Sequence, residues 1–276
     1  RIKVEKENGE IIHNETFNAK DKKVLISFDS SSVGDTIAWI PYVEQFRVEH
    51  SCIVFCQTFH NNLLRESYPN IKFISHDEAV DCYSSYQIGW FDDWTDTNRN
   101  PIDPRRISLQ QTASDILGLE YKELKPNLYK EDRPKKLQEK YVCISIASTA
   151  GLKHWQNESG WQQTVDYLNE LGYKVVVIQK EPLGWMDTPF LKNVIHPEAT
   201  DLEQAASWIQ HCEFFVGLGS GMSWLAWSLG KKVVLISGFS SAEEEFYNPY
   251  RVTNAKVCHE CWNNTDYKFD KGDWNW

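Results

Sequence analysis

The sequence predicts an α/β protein made of two Rossmann-like, doubly wound domains that face a central cleft. Two observations carry that prediction. Short apolar runs alternate with amphipathic segments along almost the whole chain, which is the pattern of a parallel sheet covered by helices. The alternation breaks once, at Lys130-Glu-Asp-Arg-Pro-Lys-Lys136, where charge replaces apolar periodicity, and then begins again. A chain of 276 residues with 41% apolar and 13% aromatic content can build one large core or, by the usual size of domains, two smaller ones. The expected divisions are 1–130, 137–254 and a terminal segment 255–276 that carries two cysteines.

The elements follow in order. Residues Ile2 to Glu5 and Asn14 to Phe17 alternate around Asn8-Gly9, which suggests a leading hairpin. The first unit then reads as strand 24–28, helix 34–47, strand 52–56, helix 60–67, strands 71–74 and 85–90, and helix 107–118. Asp92 to Arg106 is polar, tryptophan-bearing and broken by prolines, so it is expected to be a loop. The second unit reads as strand 141–146, helix 159–171, strand 174–178, helix 202–211, strand 214–217, helix 220–229 and strand 232–236. Open parallel sheets bind ligands beyond the carboxyl ends of their strands, so chemistry is expected in the strand-to-helix loops.

Composition narrows the function classes. No stretch approaches the ~18–20 apolar residues of a membrane helix, and no charged start with an apolar core marks a signal peptide. A soluble, intracellular protein without a membrane span is expected. The net charge of −10 disfavours a nucleic-acid partner, since Lys and Arg supply most non-specific affinity for phosphate polymers. Seven cysteines are an odd number spread widely, unlike a dense disulfide framework, and Cys52, Cys56, Cys143 and Cys212 read as buried thiols. Position 1 is Arg rather than Met and the chain stops in a polar aromatic stretch at Trp276, so a longer natural protein is expected.

Three loops and one cysteine pair could carry chemistry. The segment Ser30-Ser-Ser-Val-Gly-Asp-Thr-Ile-Ala38 follows the first strand of the first unit and sets Asp35 in the opening turn of a helix. A carboxylate there serves either as a helix cap or as a general base at the cleft mouth. Ala147-Ser-Thr-Ala-Gly-Leu-Lys-His-Trp155 follows the first strand of the second unit. Its small residues Ser148 and Thr149 let the backbone approach phosphate oxygens, and Lys153 is either an ordinary solvated lysine or a charge placed on them. Val216-Gly-Leu-Gly-Ser-Gly-Met-Ser-Trp-Leu225 turns from a strand into a helix. A diphosphate would sit well at that helix start, on the amides of Gly221 and Met222 with the hydroxyls of Ser220 and Ser223 turned outward. A dinucleotide fingerprint explains it less well, because Met222 stands where the third glycine would fall. Cys258-His-Glu-Cys261 has metal-ligand spacing but supplies only half of a tetrahedral site, the alternative being two unrelated thiols.

The order of these motifs resembles the lipopolysaccharide heptosyltransferase family of GT-B glycosyltransferases, over most of both units. The aromatic tail, Val257-Cys-His-Glu-Cys-Trp-Asn-Asn264 and Phe269 to Trp276, is similar to the bacterial autotransporter heptosyltransferase branch. The resemblance implies a GT-B fold, a cytoplasmic bacterial enzyme, ADP-glycero-manno-heptose as donor and serines of an autotransporter adhesin passenger as acceptors. It implies Asp35 as catalytic base, Lys153 on the donor diphosphate, and Ser220, Gly221 and Met222 as its cradle. It implies that Cys258 and Cys261 form half of a four-cysteine iron finger, with zinc as second choice and further ligands beyond Trp276; a homo-oligomer is also expected. The chain departs from the family at Gly219, where Asp is common, and at Trp224, where His is common, so donor contacts there do not transfer. Asp92-Asp-Trp-Thr-Asp96 is similar to acidic clusters with which some glycosyltransferases hold a metal, but it reads better as turn-forming, solvated residues. Inverting, metal-independent transfer is the expected chemistry. A GT-B transferase using a UDP-hexose and a non-enzymatic adhesin scaffold with aromatic anchors are the alternatives.

Overall fold

The computed structural model describes residues 2–89, 100–197 and 201–266. Strands β1 (Ile2–Glu5) and β2 (Ile11–Glu15) pair antiparallel as the leading hairpin. The first parallel sheet follows from β3 (Lys23–Phe28), α1 (Val33–His50), β4 (Ile53–Gln57), α2 (Asn61–Leu64), β5 (Lys72–Ile74), β6 (Ser84–Ile88) and α3 (Leu109–Leu117). The second is built by β7 (Tyr141–Ser145), α4 (Gly160–Glu170), β8 (Lys174–Val177), α5 (Leu202–His211), β9 (Phe215–Leu218), α6 (Gly221–Ser228), β10 (Val233–Ile236) and β11 (Arg251–Val252).

The orders are β5-β4-β3-β6 and β11-β10-β9-β7-β8, with every pairing inside both sheets parallel. Each order reverses beside its first strand, at β3/β6 and at β7/β9. A reversal leaves two neighbouring loops diverging to opposite faces, which opens a crevice at the carboxyl ends. The loops after β3, β7 and β9 are the three singled out in the sequence.

Local signals set most boundaries. Ser108 Oγ accepts from the Gln111 amide at the start of α3, and Gly118 closes it at φ 67, a left-handed conformation that glycine adopts without strain. Asp201 accepts from the Gln204 amide at the start of α5. Three expectations change. Helix 60–67 shrinks to the single turn of α2, and α1 runs on to His50 through Pro41. The two-residue strand β11 adds an edge to the second sheet where the sequence carries no strand signal. The Asp92–Asp96 cluster and the tail from 267 onward lie outside the described residues.

The apolar interior does not stop at residues 130–136. One buried cluster runs from Val24, Ile26 and Phe28 through Trp39 and Phe46 to Tyr141, Phe215 and Leu225, because α1 packs on α6. A second cluster, including Val142, Trp161 and Val177, covers the other face of the second sheet. Backbone bonds from Leu109 N to Glu244 O (2.9 Å) and Leu128 N to Ser228 O (3.1 Å) also join the halves. Cys52, Cys56, Cys143 and Cys212 are buried free thiols, as expected. Among the described residues no helix is long and apolar enough to cross a membrane.

The charged segment at 130–136 is not a loose tether. Arg133 is buried, donating to Leu128 O and Gln210 Oε1 (both 2.8 Å) and pairing with Glu203 at 3.1 Å, where Lys130 joins it. Burial pushes the Glu203 carboxyl up, but the bonds from Arg133 and Lys130 outweigh it and hold the group below its ordinary range. A carboxyl lowered in the folded state stabilises above its unfolded pKa, and that contribution drains as pH falls through the lowered value. Glu203→Gln is therefore expected to cost stability at neutral pH and to leave a smaller difference from the parent in strong acid, as read by urea unfolding across pH.

Candidate active site

The site is assembled where the starts of α1 and α6 touch. The chain leaves β3 at Phe28, and Ser32 caps α1 by accepting from the Asp35 amide (3.4 Å). Because Ser32 is the cap, the Asp35 carboxylate is turned elsewhere: Ser30 Oγ donates to its Oδ2 at 2.5 Å. Gly34, beside it, lies against α6, where an added Cβ would sit 3.2 Å from Trp224 Cδ1 and 3.5 Å from Gly221 Cα. The approach is mutual. A Cβ on Gly221 would meet Val33 Cβ at 2.9 Å and Gly34 N at 3.0 Å. A side chain at Gly221 would clash with Val33, whereas one at Gly34 would require Trp224 to give by a few tenths of an ångström. Gly221→Ala is expected to prise them apart, costing about 1–3 kcal/mol as an overpacked contact, read as a lower midpoint in thermal unfolding.

At the start of α6, Ser220 occupies the N-cap position but makes no side-chain cap bond, and its Oγ is buried with no protein partner among the described residues. The first amides of the helix, at Gly221 and Met222, carry the positive end of its dipole, and Gly221 lies against Gly34 of α1. Ser223 corrects the sequence reading. Its hydroxyl does not turn outward; it is fully buried and donates to Leu218 O at 2.6 Å, locking the strand-to-helix turn.

Lys153 lies in a short 3₁₀ turn, Gly151–Lys153, with its Nζ 5.5 Å from the centre of the Phe239 ring. The loop before it is cinched by buried His154, whose Nε2 lies 3.1 Å from the Ser148 amide and 3.0 Å from the Ser148 carbonyl. Ser148 is buried and its Oγ accepts from Ala150 N at 3.5 Å, whereas Thr149 is exposed.

Two carboxyls at this site were not singled out in the sequence. Glu244 and Glu245 are both buried. Glu245 pairs with Arg251 and accepts from Ser240 Oγ (3.0 Å) and Ser237 Oγ (3.3 Å). Its carboxylate fills the space over Gly219, which a side chain at that position would overlap. The chain thus supplies from a later loop a carboxylate where a residue-219 side chain would stand. Burial first, then the neighbouring Glu245, push Glu244 well above the ordinary carboxylate range, while Trp262 and Lys153 pull the other way; the Asp35 charge also reaches it. Lys153, Glu244 and Asp35 therefore share one electrostatic neighbourhood. The hint in the sequence is Glu243-Glu-Glu245 set between Phe239 and Phe246, which by itself reads as a solvated run.

Cys258 and Cys261 approach to 3.7 Å between sulfurs, with Glu260 at φ 61 turning the chain between them. Two thiolates about 2.3 Å from one tetrahedral ion stand roughly 3.8 Å apart, so the pair fits half of such a site. No group of three or more candidate ligands occurs among the described residues, so a complete four-cysteine finger is not present there.

Two parallel α/β sheets joined through the packing of α1 on α6 are consistent with the GT-B glycosyltransferase fold. The fold agrees with E. coli ADP-heptose lipopolysaccharide heptosyltransferase II, at TM-score 0.61 and 12% identity over 88% of this chain and 94% of that one. More particularly, the chain belongs to glycosyltransferase family 9 (heptosyltransferase), whose profile matches residues 104–273, and within it to the autotransporter heptosyltransferases. It is 43% identical to the autotransporter heptosyltransferase Aah of Escherichia coli, over 93% of this chain and 67% of that protein. It is 37% identical to TibC of enterotoxigenic E. coli, over 100% of this chain and 70% of TibC. The crystal structure of TibC, an iron-containing dodecameric glycosyltransferase, superposes at TM-score 0.90 over 99% of this chain and 74% of that one, and TibC has also been solved with ADP-D-β-D-heptose. The protein is a glycosyltransferase of this family.

Proposed function

We propose that the protein moves heptose from ADP-glycero-manno-heptose to serine hydroxyls of an autotransporter adhesin passenger, with inversion and without a catalytic metal. The observation that supports this reading is the close approach of Gly34 to Gly221, which brings the helix turn that carries Asp35 to the start of α6. Asp35 takes the serine proton, the serine oxygen attacks the anomeric carbon, and the bond from that carbon to the ADP oxygen breaks on the opposite side. Ser30 holds the carboxylate in place through its 2.5 Å bond. Charge growing on the departing diphosphate is met by Lys153, by the amides of Gly221 and Met222 and by the Ser220 hydroxyl, groups already oriented before the reaction. The exposed Thr149 and buried Ser148 shape the loop that presents Lys153. Gly219 contributes room for Glu245 rather than a contact of its own.

An iron ion, or zinc as second choice, would be held in part by Cys258 and Cys261 and would supply structural cross-linking there, not a step of transfer. The likeness to TibC supports ADP-heptose as donor and a homo-oligomeric assembly. Residues 1–130 and 137–254 are the acceptor-side and donor-side domains, with 255–276 beginning the finger, and the enzyme works in the bacterial cytoplasm. Intact-mass measurement of a co-expressed passenger tests the reading. A heptose increment on serine is expected, whereas a hexose increment would point to a UDP-hexose donor and an unmodified passenger would overturn transfer to it.

A further inference from the structure

We infer that Trp262 is a positioning residue through which the Cys258–Cys261 turn sets the place of Lys153. Two backbone bonds pin the turn to the segment after β10: Glu260 N donates to Gly238 O at 2.6 Å, and Trp262 N donates to Phe239 O at 3.0 Å. Trp262 and Phe239, both buried, form a small apolar cluster with ring centres 6.2 Å apart. Ala150 and Leu152, which lie in the loop that presents Lys153, pack on the same cluster, as does Cys261. The Phe239 ring then faces the Lys153 ammonium at 5.5 Å, a contact that favours the cation over the ring. Any change in the cysteine turn is passed to the Phe239 ring that faces Lys153 and to two residues of the loop that carries it.

The sequence distance is large, about one hundred residues between Lys153 and Trp262, and the contact is small, so this is a lever and not a core. Two cysteines converging at 3.7 Å around a left-handed residue make the turn rigid once they share an ion. An ion held by Cys258 and Cys261 would act on donor binding through Trp262, without touching the donor. The inference rests on the proposed role of Lys153 on the diphosphate, and the experiment separates the two.

Calorimetric titration of the metal-loaded protein with ADP alone is the measurement, on the parent, Lys153→Ala, Trp262→Leu, Trp262→Phe and the combination of Lys153→Ala with each Trp262 variant. Metal content is measured for each. Trp262→Leu is expected to weaken ADP about tenfold and Trp262→Phe less, while neither weakens it further once Lys153 is alanine, because residues acting through one another are not additive. Trp262→Phe keeps the ring in the cluster and stands in should Trp262→Leu fail to fold. Equal losses with and without Lys153, or parental ADP affinity in folded Trp262→Leu, would overturn the inference. Parental ADP affinity in Lys153→Ala would instead overturn the proposed role of Lys153 itself.

Discussion

Asp35→Asn is expected to lower the turnover of heptose transfer by about 10²–10⁴-fold, the range a positioned general base contributes, and to leave ADP affinity at the parental level. Asparagine keeps the shape of the side chain and can still accept the hydrogen bond from Ser30, so the start of α1 and its contact with α6 survive. What is lost is the ability to take the serine proton. A loss in turnover without a loss in binding marks an interaction made only in the transition state. Steady-state transfer to a purified passenger, with calorimetry of ADP binding, reads both quantities. Undiminished turnover in a folded Asp35→Asn protein would remove the base from the mechanism. A matched loss of ADP binding would show that the carboxylate acts on the donor instead.

Lys153→Ala is expected to reduce turnover by about 10²–10³-fold, as removal of one preorganised charge from a developing anion does, and to weaken ADP as well. Both quantities fall because a diphosphate is present before, during and after the bond breaks. The lysine sits over Phe239 in a turn cinched by His154, so its ammonium is aimed before any ligand arrives. Rising salt is expected to narrow the gap in ADP affinity between parent and variant, since screening weakens partly exposed charge interactions. A gap that holds at high salt would argue that the alanine acts by collapsing the loop.

Much of the architecture is readable in the chain. The parallel strands are visible as short apolar runs, buried throughout in β7 and β9 and on alternate residues in β3, and all three lie within a residue or two of their expected places. The helix starts are visible because Ser30 to Asp35 and Gly217 to Ser223 combine small residues with capping groups. What misleads is local chemistry whose outcome depends on distant partners. Glu243-Glu-Glu245 looks solvated until Arg251, Ser237 and Ser240 close around Glu245. Arg133 looks like part of a free tether until Glu203 and Gln210 receive it. Ser223 looks available until the Leu218 carbonyl accepts its hydroxyl's hydrogen bond.

Residue order alone was enough to specify the layered fold, the three loops at the carboxyl ends of the strands and the groups those loops offer, because periodicity and turn chemistry are local properties. Which of those groups meet was settled by folding. Close packing of two glycine-bearing helix starts brings the turn that carries Asp35 to the start of α6, and a late loop supplies the buried carboxyls of Glu244 and Glu245. Such meetings depend on distance and burial, and a linear chain specifies neither until its hydrophobic surfaces have closed on one another.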